Sequence, residues 1–462
     1  MYKSIIHSYI EEHRNEIINT LKDLIKIPSV RSTAKDNAPF GKECNRVLEY
    51  TRNLYEENGF DTDLYSSDGY LLSYYGDYDS SIGIFAHADV VSCANDWNFT
   101  SPFEAIEKDG FVIGRGALDD KSAVVVSLYC AKMLKELNIP FNKKLVCFTG
   151  ANEESGMADI KAYTKSHTPP EFAFVADTAF PPYIGNKGLL MFKAVCNTPL
   201  APIKSFCGGQ PGSVVGNAEL SIEYDDKLYS KLCKYAGERL TVLRDDENII
   251  LKASGIPRHT ALPEGSLNAG SIITKALLNS GFSDDGQIEF TAGILSDYYG
   301  GTLGIANDDP LFGKLTCVNY KIDTVEGKLV LDFNLRCGKE VDMKSLKSSI
   351  IKKFAENNWD VEIEREEKAH SISPDNPMLK KCMDSYRNFT GDSDAIWQIN
   401  AGGTYARYLP CAIETGPTMI WREPDGTKAG HGGAHQPDEC ISIDGFFQAL
   451  ELTMLMLVEC GK

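Results

Sequence analysis

Between Ser81 and Asp177 the chain repeats one arrangement, a short apolar run that stops at a histidine or an acid. SIGIFA is followed by His87-Ala88-Asp89, GFVIGRGAL by Asp119-Asp120, LVCFTGAN by Glu153-Glu154, and EFAFVA by Asp177. The runs SIGIFAH (81–87), KKLVCFTG (143–150) and EFAFVAD (171–177) read as buried strands, with a helix over KSAVVVSLYCAKMLKEL (121–137). Short apolar strands joined through helices specify an α/β domain around a mainly parallel central sheet. Such sheets bind ligands beyond the carboxyl ends of their strands. One acid in that place is an ordinary helix cap or solvated loop residue. Four strand ends in succession, all presenting His or carboxylate toward one rim, make a set of imidazole and oxygen ligands. That set suits Zn²⁺, and also Mn²⁺ or Co²⁺. Residues i and i+2 of an extended chain share a side, so Asp89 can accept the second ring proton of His87 and orient it. Adjacent carboxylates repel, so Glu153 and Glu154 together imply a nearby need for negative charge.

The chain has 462 residues, too many for one ordinary core, and two domains are expected. From about 189 to 374 the texture changes. LLMFKAVC, ELSIEY, QIEFTA and KLVLDFNLRC read as half-buried strands and SLNAGSIITKALLNS as a helix, an α+β domain inserted into the first. Segments 1–188 and 375–462 then form one discontinuous α/β domain, which ends on the apolar helix FFQALELTMLMLVEC. The N-terminal stretch MYKSIIHSYIEEHRNEIINTLKDLI reads as one amphipathic helix rather than a signal peptide. A net charge of −18 argues against nucleic acid or an anionic membrane as partner, and no run reaches the length of a membrane span. The thirteen cysteines are scattered singletons without a C-x-x-C, so a reducing cytoplasm fits better than a disulfide framework. Cys130, Cys147 and Cys317 lie in apolar runs and are expected in the core. His7, His13, His167 and His370 lie in polar stretches and are expected at the surface. No complete dinucleotide fingerprint, P-loop or G-x-S-x-G is present.

HADVV, Trp97 with SPF (101–103), GRGALDDK, ANEES, FVADTAFP and the late AHQPDE occur in order from about residue 80 to 440. Together they resemble the dinuclear zinc metallopeptidases: carboxypeptidase G-type enzymes, aminoacylases, acetylornithine and succinyl-diaminopimelate deacylases, and carnosinase-like dipeptidases. The resemblance implies a zinc-peptidase catalytic domain with an inserted lid domain, and two divalent ions. His87 and Asp177 match ligands of one metal, Glu154 and His435 ligands of the second, and Asp119 the carboxylate that bridges them, followed in the family by a cis peptide to Asp120. Glu153 matches the general base, acting on a water shared by the metals. KAGHGGAHQPDE offers both His431 and His435; Gly432 and Gly433 make a helical two-His face poor, and the motif aligns with His435.

The resemblance extends to the inserted domain, where His259 in SGIPRHTALPEGSLNAG matches a lid histidine that donates to the oxyanion and Asn217 matches a lid asparagine. The alternation of KLVLDFNLRC puts Asp332, Asn334 and Arg336 on one face, and Arg336 suits a bidentate carboxylate clamp. INAGGTYAR, with Gly402, Gly403 and Thr404, is similar to the family's glycine-rich substrate loop. GGTYAR, ADTAFP and the long FTAGILSDYYGGTLG are most similar to bacterial dipeptidases of the peptidase V type, which implies a monomer that hydrolyses dipeptides or similar short peptides. The alternatives are an N-acyl-amino-acid deacylase and a non-catalytic ligand-binding protein on the same scaffold.

Overall fold

The computed structural model describes residues 2–282 and 286–462. The chain divides into two compact units, one built from residues up to Asn186 together with Ser371–Lys462, the other from Lys187–His370.

In the first unit a mixed sheet runs in the order Asp61–Tyr65, Tyr70–Tyr75, Lys144–Gly150, Ser81–His87, Phe172–Val175, Ala412–Glu414 and Tyr183–Asn186. Its four central members, from Lys144–Gly150 to Ala412–Glu414, pair in parallel, and the pairings that flank them are antiparallel. The parallel centre is therefore as expected, and the outer strands make the sheet mixed. Register sets where the strand ends lie: His87 pairs with Gly150, and Phe85 with Val175. The parallel strands thus end level with one another, so Glu153, Glu154 and Asp177 leave the sheet beside His87. The helix Lys121–Glu136 is buried along nearly its whole length, as its apolar sequence requires. Ile443–Cys460 is a second, largely buried helix of this unit.

Three local readings change. GFVIGRGAL does not feed the central sheet: only Phe111–Ile113 is a strand, and it pairs with Ile106–Lys108 and Cys440–Ser442 in a small sheet. Asp119 instead ends a turn just ahead of the helix Lys121–Glu136. The N-terminal helix is two, Tyr2–Glu12 and Arg14–Ile25, separated at His13. The His13 ring stacks on Tyr9 with centroids 4.0 Å apart, and its Nδ1 lies 2.9 Å from the Tyr9 carbonyl. Of the four histidines expected at the surface only His7 is exposed. His167 is half-buried because its ring stacks on Tyr163, centroids 5.1 Å apart, and its Nε2 lies 3.1 Å from the Tyr65 hydroxyl.

The second unit is an eight-stranded antiparallel sheet in the order Leu240–Arg244, Asn248–Ser254, Asn217–Glu223, Ile203–Gly209, Thr316–Val325, Lys328–Cys337, Gly188–Cys196 and Trp359–Glu367. Helices Ala269–Asn279, Gln287–Ser296 and Met343–Ala355 contribute to one core with it, centred on Phe192, Leu331, Phe333 and Phe354. QIEFTA is thus helical rather than a strand. In the helix Gln287–Ser296 the buried positions are Ile288, Thr291, Ala292, Ile294 and Leu295, and Ile288, Thr291, Ala292 and Leu295 follow the three-and-four spacing that short-range alternation with Phe290 had masked. Phe333 stacks on Phe192 with centroids 4.8 Å apart and is 1% exposed. Phe333→Ala should therefore cost about 3–5 kcal/mol, read from urea denaturation. An unchanged midpoint would remove Phe333 from the core.

Candidate metal centre

Asp119 faces two histidines with different oxygens. Its Oδ1 lies 3.1 Å from His87 Nε2, and its Oδ2 lies 3.0 Å from His435 Nε2. Asp177 Oδ1 stands 3.7 Å from His87 Nε2, and Glu154 Oε2 stands 3.0 Å from His435 Nε2. Two three-residue clusters result, His87-Asp119-Asp177 and Asp119-Glu154-His435, with ligand atoms within 4.8 Å of one another in each. Asp119 belongs to both. The peptide from Asp119 to Asp120 is cis.

These residues fit a pair of divalent cations. His87 Nε2 is buried and faces carboxylate oxygens, those of Asp119 and Asp177. Burial works against protonation of His87, but the carboxylates of Asp119, Asp177 and Asp89 outweigh it and raise its pKa. His435 is pushed up to about 11 by its contacts with Asp119 and Glu154. Burial raises Glu154 to about 7 and lifts Glu153 well above the carboxylate range, the latter reinforced by Asp177. A site that gathers several largely buried carboxylates around two imidazoles, and keeps Asp119 ionised among them, calls for positive charge, and its nitrogen and oxygen donors suit a divalent metal.

The supports around the cluster come from main chain and buried acids. His87 Nδ1 lies 3.0 Å from the carbonyl of Asp89 and 3.5 Å from its carboxylate, so the ring is oriented first by the Asp89 backbone. The Asp89 carboxylate, expected to accept that proton, stands farther from Nδ1 than the carbonyl of the same residue. That carboxylate also receives the N–H groups of Glu153 and Glu154 at 3.1 and 3.2 Å, fixing the turn that carries both. Asp120 is buried and accepts the His87 N–H at 3.3 Å. Glu439, fully buried, accepts the N–H groups of Gly116, Leu118 and Asp119 on one oxygen, each at 3.0 Å, and Arg115 on the other. It therefore shapes the loop that delivers Asp119. Position 150, the last of its strand, requires glycine because a Cβ there would lie 2.0 Å from the Tyr405 hydroxyl. That hydroxyl donates to Asp159 at 2.5 Å, and Asp159 accepts the N–H groups of Ala151 and Asn152 at 2.9 and 2.8 Å. Glu439, Arg115, Asp159 and Tyr405 all escaped sequence reading: each lay inside or near a motif, but nothing in spacing marks a buried carboxylate that collects amide protons.

His431 is not in either cluster. It is buried, with Nδ1 2.7 Å from Asp438 and 3.2 Å from Asn98. In the glycine loop, the Gly402 N–H is taken by Asn400 Oδ1 at 2.7 Å, so that amide is engaged within the loop. Thr404 caps the following turn by accepting the Ala406 N–H at 3.2 Å, and Gly403 closely approaches the Arg407 side chain. Asn400 also donates to Glu414 at 2.6 Å, and Asn186 donates to the other oxygen of this fully buried acid at 2.5 Å. Asn217, His259 and Arg336 belong to the second unit. Asn217 accepts from the Ser254 hydroxyl at 3.2 Å, His259 Nδ1 accepts the Ala261 N–H at 3.2 Å, and Arg336 Nε donates to Asn334 at 3.0 Å. Partial desolvation, with the positive charge of Arg336, draws the His259 pKa down.

The sequence profile of peptidase family M20/M25/M40 matches residues 83–459. The chain belongs to this family. The resemblance read from its motifs is thereby borne out. This M20 protein is 26% identical over 469 residues to "Putative dipeptidase YtjP" of Bacillus subtilis (strain 168), covering 97% of this chain and 98% of that one. It is 28% identical over 468 residues to "Putative dipeptidase SSP1012" of Staphylococcus saprophyticus, covering 96% of each. Its fold is similar to that of human carnosine dipeptidase 1, with a TM-score of 0.62 at 13% identity over 100% of this chain and 99% of the other. It is also similar to that of the di-peptidase Dug1p from Saccharomyces cerevisiae, with a TM-score of 0.60 at 14% identity over 99% and 98%. The M20 chain is a peptidase with candidate divalent-metal ligands, and among its described residues no helix is long and apolar enough to cross a membrane.

Glu414 supplies a pH test of this frame. Burial raises its pKa to about 8 from an ordinary value of 4.5, so the folded state holds a proton that the unfolded state has released across that window. The contribution is fully present below 4.5 and is lost as pH rises toward 8. Glu414→Gln should flatten the fall in stability across this window by up to about 1.4 kcal/mol per pH unit. Urea midpoints at a series of pH values measure this, and parallel curves for variant and parent would refute it.

Proposed function

We propose that this chain is a dinuclear metal-dependent dipeptidase in which Glu153 is the general base. The observation that carries the reading is Asp119, whose two oxygens stand 3.1 and 3.0 Å from the ring nitrogens of His87 and His435. A carboxylate shared in this way is what a two-metal hydrolase requires of its bridging ligand. His87 and Asp177 would hold one ion, Glu154 and His435 the other, with zinc the favoured metal and manganese or cobalt also suited to the donors. Bound there, two divalent cations supply Lewis acidity for a peptide carbonyl and for water.

The remaining work falls to side chains of this protein. Glu153 takes the proton of the attacking water on a carboxylate oxygen and passes it to the leaving amine nitrogen. Asp89 holds the Glu153–Glu154 turn through both N–H groups and holds His87 through its carbonyl. In the second unit His259 would donate to the developing oxyanion, with its lowered pKa keeping the ring neutral and its donor fixed by the bond that Nδ1 accepts. Asn217 and Arg336 would bind substrate, Arg336 as the carboxylate clamp and Asn334 as its orienting acceptor. Gly402, Gly403 and Thr404 would form the substrate loop on the first unit. The names of the bacterial relatives, which match nearly their whole length, support a dipeptide substrate.

Metal-loaded protein should hydrolyse dipeptides in preference to N-acetylornithine and N-succinyl-diaminopimelate; the reverse order would favour a deacylase. Glu153→Gln should lower kcat by at least about 10²-fold while metal content stays at about two equivalents. Glu154→Gln should instead weaken one metal and regain part of its activity in excess ion. Metal analysis with the opposite pattern would exchange the two roles. Arg336→Lys retains charge but loses the planar fork, so KM should rise more for free-acid dipeptides than for their C-terminal amides. Equal effects on both would release Arg336 from carboxylate binding.

A further inference from the structure

A cleft of about 270 Å³ opens beside Asp119 and Asp177 on the first unit. Apart from those two carboxylates and the polar Thr178 and Asn400, its walls are Leu118, Ala179, Tyr183, Pro417, Trp421 and Ala434. A wall of this kind is conspicuous on a protein with a net charge of −18. Trp421 leaves 58% of its surface exposed. A tryptophan so placed gives up the gain from burying a large ring, and a concave apolar surface rimmed by a few polar groups is the usual form of a small-molecule site. The volume is below the roughly 300–1,000 Å³ typical of drug-sized ligands. It suits one side chain rather than a run of several residues.

We infer that this cleft receives an apolar or aromatic side chain of the peptide substrate, with Trp421 as its specificity-determining residue. This rests on the dipeptidase reading and names the substrate class within it. The cleft touches Asp119 and Asp177, so a side chain held there belongs to a residue next to the scissile bond. A charged side chain would give up its hydration against the apolar wall, and a glycine would leave that wall uncovered. Leucine, phenylalanine and residues of similar character cover it.

The test compares kcat/KM for metal-loaded enzyme on dipeptides that pair glycine with glycine, leucine, phenylalanine, lysine or aspartate, in both orders. At one of the two positions leucine and phenylalanine should exceed glycine by about tenfold or more. Trp421→Ala should bring that ratio close to one, and Trp421→Phe should restore most of it. A flat wild-type profile, or a preference that survives Trp421→Ala, overturns the assignment. Calorimetric titration of the metal-free protein with phenylalanine amide and glycine amide examines the cleft without turnover. Binding of the phenylalanine amide alone, lost in Trp421→Ala, supports the cleft even if no dipeptide is cleaved, in which case the dipeptidase reading falls by itself. Turnover of dipeptides without side-chain preference keeps that reading and removes this one. Absence of both turnover and selective binding removes both.

Discussion

One carboxylate organises the site. Asp119 turns an oxygen to each of two imidazoles, and every other member of the two clusters is defined by which side of Asp119 it occupies. Asp119 is not held by a strand of the central sheet. Its loop is held by Glu439, a buried acid that collects three main-chain N–H groups and the Arg115 guanidinium. Removing one partner of such a buried pair leaves an uncompensated charge, so Glu439 and Arg115 stand or fall together. The geometry of the candidate metal centre is thus set in part by residues outside both ligand clusters.

Much of this was readable in the chain. The acids and histidine at successive strand ends are visible because a parallel sheet brings strand ends level, and the pairing of His87 with Gly150 and of Phe85 with Val175 is the register that does so. Asp119 was found for a partly mistaken reason, since its preceding apolar run supplies only the short strand Phe111–Ile113 of a separate sheet. QIEFTA misled because six residues contain too few turns to separate a period of two from one of 3.6. The buried acids Asp159, Glu414 and Glu439 were illegible for another reason. A carboxylate satisfied by amide N–H groups has no signature in spacing, and its partners are assembled only by the fold.

The second unit shows how little of this architecture depends on particular side chains. Solved relatives at 13% and 14% identity share the fold over nearly the full chain. What such distant chains can share is pattern, seen here in Lys328–Cys337, where Leu331, Phe333 and Leu335 enter the core while Asp332, Asn334 and Arg336 occupy the other face. One face carries stability and is tolerant of exchange among apolar residues. The other is where chemistry can vary.

The order of residues along the chain also has a consequence during synthesis. Glu154 and His435 meet across 281 positions, and Glu439 reaches Asp119 from 320 positions away. A ribosome making about 5–20 residues per second needs tens of seconds to cross such an interval. Until it has done so, one of the two clusters lacks its histidine and the Asp119 loop lacks its anchor. A growing chain therefore carries neither the complete second cluster nor the anchored Asp119 loop until the segment from His435 to Glu439 has been made.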